Sequence, residues 1–326
     1  MKTVLVFALV LTSSTSIISA QITNYNGTGR IDLETSWDNG LPTGGTTGVI
    51  ATASANFALR AVTGYTVTQS GGDLFTSGGS NTLTSTQWTL NGGTLRAQSI
   101  GLAGGSTFTV NNGTYRADAT GGDLNVTDST LNIFGGSVIA PDDFTHNNGN
   151  LTITSGTLSI GDLTNFSNNA QFTISGGAFS TGGVFGGQFG STNGDAFFNG
   201  GTSVVGSLGF GSANFTVNLG GTNPGTLTAA GFIGTASNRR INWTFGSSME
   251  LTITGADEWA SSEWNAGRMT FDGSDFNTLG DWSTVKGTIF LYDSDTETLS
   301  LVPEPSSFAI YAGALVLLVA SSRRSR

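Results

Sequence analysis

The single histidine among 326 residues, His146, follows Asp142 and Asp143 in the stretch Pro-Asp-Asp-Phe-Thr-His-Asn-Asn-Gly. An imidazole and two carboxylates at that spacing are the groups needed for proton transfer or for holding a metal ion. The same stretch also reads as a polar loop between strands, and no second histidine exists to complete a site. Asp293, Asp295 and Glu297 alternate, which on a strand would place three carboxylates on one face for calcium. A calcium loop carries more oxygen ligands and a positioned glycine, so a solvated hairpin turn is the simpler reading. Trp243, Trp259, Trp264 and Trp282 lie near Asp257, Glu258 and Glu263, as in a sugar-stacking platform, although tryptophans are ordinarily buried. No Gly-x-Ser-x-Gly elbow is present, so a hydrolase triad would rest on His146 alone. We therefore expect no catalytic residue, metal or cofactor.

The residues that must position these groups form a repeat. Segments starting at Trp88, Phe108, Leu131, Leu151, Phe172, Ala196 and Phe215 share one template. Two residues on comes Leu90, Val110, Ile133, Ile153, Ile174, Phe198 or Val217, and five residues on comes Gly93, Gly113, Gly136, Gly156, Gly177, Gly201 or Gly220. Apolar residues at i and i+2 mark strands, and glycine at a corner supplies a backbone that other residues resist. The starts are 20, 23, 20, 21, 24 and 19 residues apart. A period in the twenties indicates a solenoid, and the absence of a leucine/asparagine consensus and of a helical segment excludes a leucine-rich repeat. The expected fold is all-β, a right-handed parallel β-helix over residues 61–238 with rungs of roughly 21 residues stacked ~4.8 Å apart.

Terminal rungs need covers, because they expose unpaired strand edges. Residues 21–60, with Trp37-Asp38-Asn39-Gly40, are read as an N-terminal cap. After Asn238 the glycine template stops, Arg239 and Arg240 appear, and the tryptophans cluster, so residues 239–302 are read as a C-terminal β cap.

Charge excludes one class of partner. Setting aside Lys2, the three tail arginines and Glu304, 8 basic residues face 21 acidic ones, a formal charge of −13. No lysine or arginine occurs between Arg116 and Arg239. Nucleic acid is bound by neutralising phosphates, so it is not an expected partner. Cysteine is absent, and neither disulfides nor cysteine-held metals stabilise the fold.

Both ends read as addresses. Met1-Lys2, an apolar run from Val4 to Leu11, and Ile18-Ser19-Ala20 form a signal peptide over residues 1–20, cut between Ala20 and Gln21. At the other end Val302-Pro303-Glu304-Pro305 precedes an uncharged segment, 306–322, and a basic end with Arg323, Arg324 and Arg326. Seventeen uncharged residues as a helix reach about 25 Å, short for a hydrocarbon core of roughly 30 Å but within what snorkelling arginines accommodate. Residues 306–322 are thus expected to form one transmembrane helix, with the arginines in the cytoplasm. Order and spacing of motif, span and basic tail resemble the PEP-CTERM sorting signal of Gram-negative bacteria. The glycine-, threonine- and asparagine-rich repeats are also similar to the β-strand repeats of autotransporter-type passenger domains.

The PEP-CTERM resemblance implies an exosortase-type processing enzyme as partner. It also implies anchoring in the inner membrane before processing, then delivery to the cell surface or extracellular matrix. The function expected is that of a noncatalytic surface or matrix protein associated with extracellular polysaccharide or biofilm. The alternatives are a polysaccharide lyase or hydrolase built on the β-helix, and a carbohydrate-binding protein using the C-terminal tryptophans. A solenoid nearly free of lysine and arginine suits a lyase for acidic sugars poorly.

Overall fold

In a computed structural model, which describes residues 21–26, 30–51, 54–56, 61–76, 80–117, 121–187, 194–211 and 215–303, the chain is a parallel β-solenoid. Its first face is a sheet of twelve strands, one contributed by each successive coil, from Ile22–Asn24 to Met269–Phe271. Every pairing along that sheet is parallel. Twelve strands at a spacing of ~4.8 Å make a rod roughly 50 Å long.

The template residues stack as their spacing predicts. Trp88, Phe108, Leu131, Leu151, Phe172, Ala196 and Val217 occupy one inward column. Leu90, Val110, Ile133, Ile153, Ile174, Phe198 and Leu219 occupy the next. All are 0–1% exposed. The last template start, Phe215, is displaced by two residues: it lies opposite Gly194, and Val217 is the partner of Ala196.

A corner at the repeat glycine leads into a second ladder, which runs through Thr94–Ala97, Thr114–Ala117, Ser137–Ala140 and Thr157–Ile160. Five of the seven template glycines have positive φ, among them Gly136 at +67° and Gly177 at +74°. Gly113 and Gly220 do not. At Gly113 the requirement is space, since a Cβ there would lie 2.3 Å from Leu90 Cγ.

A third ladder closes each coil, through Ser80–Thr84, Ser99–Ala103, Leu124–Thr127, Phe144–Asn147 and Thr164–Ser167. The chain leaves four of these five strands through residues held at positive φ without glycine, Ser85, Asp128, Asn148 and Asn168, and leaves Ser99–Ala103 through Gly104 and Gly105. Asparagine and aspartate tolerate that conformation better than other side chains. Consecutive corners are also tied together, as Asn148 Nδ2 donates to Asp128 Oδ1 at 2.6 Å.

Parallel stacking extends past both expected limits. Ile22–Asn24 and Thr47–Ile50 already belong to the first sheet, and Ile241–Trp243 and Met269–Phe271 continue it. At the C-terminal end Met249–Ile253 pairs antiparallel with Thr298–Leu301, itself antiparallel to Phe290–Asp293. This hairpin ends the parallel series. The β cap expected there also contains three short helices: α1 (Trp259–Asn265), α2 (Phe276–Leu279) and α3 (Trp282–Val285). They carry Trp259, Trp264 and Trp282 inward over the last coil, a burial that the tryptophan-rich composition permits but period-two patterning does not reveal.

No helix among the described residues is long and apolar enough to cross a membrane. The segment 306–322 assigned to the membrane lies outside the described residues, as do Ala20, Glu304, Pro305, Arg323, Arg324 and Arg326.

Candidate functional surface

His146 is not in a loop. It lies on the strand Phe144–Asn147, and the alternation that exposes Thr145 turns it inward. There it takes its place in the column Leu83, Leu102, Val126, His146, Phe166. The ring is 0% exposed and sits 5.6 Å from the rings of both Phe144 and Phe166. Neither ring nitrogen makes a well-formed hydrogen bond, although the Gly149 backbone lies close enough to oppose the effect of burial slightly. Burial disfavours the charged imidazolium and lowers its pKa from 6.5 to about 3. The ring is therefore neutral at physiological pH and walled off from any substrate.

Asp142 and Asp143 lie two and one residues before Phe144, at the outer corner that leads into the third ladder. They turn away from His146 and meet Asp162 of the next coil, with one carboxylate oxygen from each of the three within 4.8 Å of the others. Asp143 Oδ1 accepts the Leu163 N–H at 3.1 Å. Asp123, one coil earlier, has its pKa raised by burial and by the negative charges of Asp142 and Asp143. The sequence reading did not include Asp123 or Asp162 in this group. Each stands one or two residues before a strand that the register pairs with Phe144, and it is that register which brings them to the same corner.

Asp293, Asp295 and Glu297 do not converge. Asp293 Oδ1 accepts the Asp295 N–H at 2.9 Å, closing a hairpin turn. Glu297 is directed elsewhere: it accepts the Tyr292 hydroxyl and the Glu258 N–H, while its carbonyl accepts the Trp259 indole N–H at 2.9 Å. Burial, and after it the Glu297 carboxylate beside the phenol, raise the Tyr292 pKa.

The tryptophans are not a platform. Trp243, Trp259, Trp264 and Trp282 are all buried, with Trp282 the most exposed at 9%. Trp264 and Trp282 pack against Phe290. Glu263 is buried with them and is held by Arg239 Nη1 at 2.5 Å and Arg268 Nε at 2.7 Å. This carboxylate fastens the cap to the last coils and presents nothing to a sugar.

The regular feature of the exterior is the outer face of the first sheet. One outward column reads Thr68, Thr89, Thr109, Asn132, Thr152, Thr173. A second, two residues earlier on each strand, holds only Thr, Gln and Asn over the same six coils. The two columns stand ~6.6 Å apart, and neighbours within each ~4.8 Å apart, by strand geometry. No charge interrupts these coils on that face. Of the sorting motif, Val302 donates its N–H to the Ile289 carbonyl at 2.8 Å, and Pro303 is exposed at the end of the described chain. Gln21, at the expected cleavage point, is exposed at the other end. Comparison with protein-family models, with curated proteins and with solved structures returned no match.

Proposed function

We propose that this chain is an exported, noncatalytic β-solenoid displayed at the cell surface or in the extracellular matrix, where it associates with polysaccharide. The observation that carries this reading is the separation of the one imidazole from the carboxylates that adjoin it in sequence. His146 is sealed in the core, whereas Asp142, Asp143 and Asp162 lie at an outer corner. Acid–base catalysis that pairs an imidazole with a carboxylate needs both within reach of one substrate, and here the core wall stands between them. The uncharged threonine and amide columns supply donors and acceptors at fixed intervals, a surface suited to hydroxyl-rich, uncharged chains.

The solenoid winds right-handed in this reading, as parallel crossover connections nearly always do. The likeness of Val302-Pro303-Glu304-Pro305 and its tail to a PEP-CTERM signal supports sorting by an exosortase-type enzyme. In that scheme residues 306–322 form the inner-membrane helix and Arg323, Arg324 and Arg326 hold the cytoplasmic side until processing.

The functional claim is tested by incubating the purified protein with neutral and acidic polysaccharides, measuring both co-sedimentation and release of reducing ends. Retention by a neutral polymer without turnover is expected. Turnover abolished by Asp143→Asn would replace this reading with an enzymatic one.

A further inference from the structure

Where the described chain ends, the cap carries a groove of about 560 Å³. Phe245, Phe271, Ile289, Leu301, Val302 and Pro303 form its apolar walls, and serines and threonines line the remainder, with no charged residue among them. Phe245 is 63% exposed, the largest exposure among the large hydrophobic side chains described. Its ring meets Phe271 edge-on, with centroids 6.3 Å apart, and has no other aromatic neighbour among the described residues. An open apolar groove in a chain with a formal charge of −10 selects an uncharged, apolar occupant.

We infer that the occupant is this chain's own C-terminal apolar segment, beginning at Phe308, whenever that segment is not in a membrane. Val302 and Pro303 are themselves part of the groove wall, so the chain leaves from the site it would fill. Phe308 follows Pro303 by five residues, a reach of at most ~17 Å, which covers a groove of this size. The run that follows includes Phe308, Ile310 and Tyr311, and no charge intervenes between Glu304 and Arg323. A tether this short gives an effective concentration on the order of millimolar, enough for even weak apolar contacts to be populated. Docking would cover Phe245 and the leading residues of the apolar segment, Phe308 to Tyr311. The inference needs only the groove and the tether, and holds whether or not the tail is a sorting signal.

The absence of native cysteine makes disulfide trapping a clean test. Ser248→Cys, in the groove, is combined with Ser307→Cys in the full chain, in dilute detergent-free buffer. The control pairs Ser307→Cys with Ser283→Cys on α3, a residue outside the groove lining. The groove pair should oxidise within one molecule at least ~10-fold faster than the control, because docking holds Ser307→Cys beside the groove while the control has only the tether shared by both pairs. Phe245→Asp should remove the advantage, and so should Ile310→Asp, which leaves the described domain untouched. Equal rates for the two pairs, or an advantage that survives both aspartates, would overturn the inference. Cross-links found only between molecules would also overturn it and assign the groove to a second copy.

Discussion

Replacing His146 with leucine should remove most of the acid sensitivity of the solenoid core. Leucine is the natural occupant of this column at Leu83 and Leu102, so the substitution continues a packing already present. In the folded chain His146 has a pKa of about 3, against an ordinary 6.5 when unfolded. Between these values the unfolded chain binds a proton that the folded chain refuses. Stability is thus fully present above pH 6.5 and falls as the pH drops toward 3. The loss is about 2 kcal/mol at pH 5 and about 4 kcal/mol at pH 3, taking 1.36 kcal/mol per pKa unit. Denaturant midpoints followed by tryptophan fluorescence at pH 7, 5 and 4 would measure it for wild type and His146→Leu. Asp38, Asp281 and Asp293, whose pKa values are lowered by hydrogen bonds, add an acid loss shared by both proteins, and it cancels in the difference. At pH 7 the variant should be as stable as wild type or more so, because two unsatisfied nitrogens leave the core. Identical pH profiles for the two proteins would refute the claim that His146 is buried and neutral.

Gly136→Val and Gly177→Val should each destabilise by more than ~1 kcal/mol from left-handed strain alone. Clashes add to this, since a Cβ would meet the Gly113 or Gly156 carbonyl oxygen at 2.2 or 2.4 Å; thermal melts read the effect, and unchanged melting temperatures would contradict the corner geometry. Glu263→Gln should cost about 3–5 kcal/mol by leaving Arg239 and Arg268 without their buried partner. Hydrogen exchange should then quicken first in α1 and at Met269–Phe271; uniform exchange along the rod would show that the pair does not hold the cap.

Much of the first face was legible because its inward residues repeat two apart and a glycine follows at a constant offset. Leu90 over Val110 over Ile133 is a direct consequence of that spacing. The third ladder was not legible, since its corners at Asp128, Asn148 and Asn168 use side chains that tolerate positive φ and leave no glycine mark. His146 was misplaced for a related reason: the polar run around it resembles a loop, yet Phe144 and His146 keep the period-two alternation that buries both. The cap helices escaped because they are short and their inward residues are tryptophans on scattered turns rather than a continuous apolar stripe. Asp162 joins Asp142 and Asp143 through stacking of coils, a neighbour relation that appears only once the register is known.

The central claim, that this solenoid is exported and sorted through its C-terminus, is tested most directly by the mass and location of the mature protein in a host that has an exosortase. Wild type should lose its C-terminal tail and reach the surface or matrix. Pro303→Ala combined with Glu304→Ala should leave the uncut chain, signal peptide removed at Gln21, in the inner membrane. Equal surface delivery and equal mass for the two proteins would contradict the account.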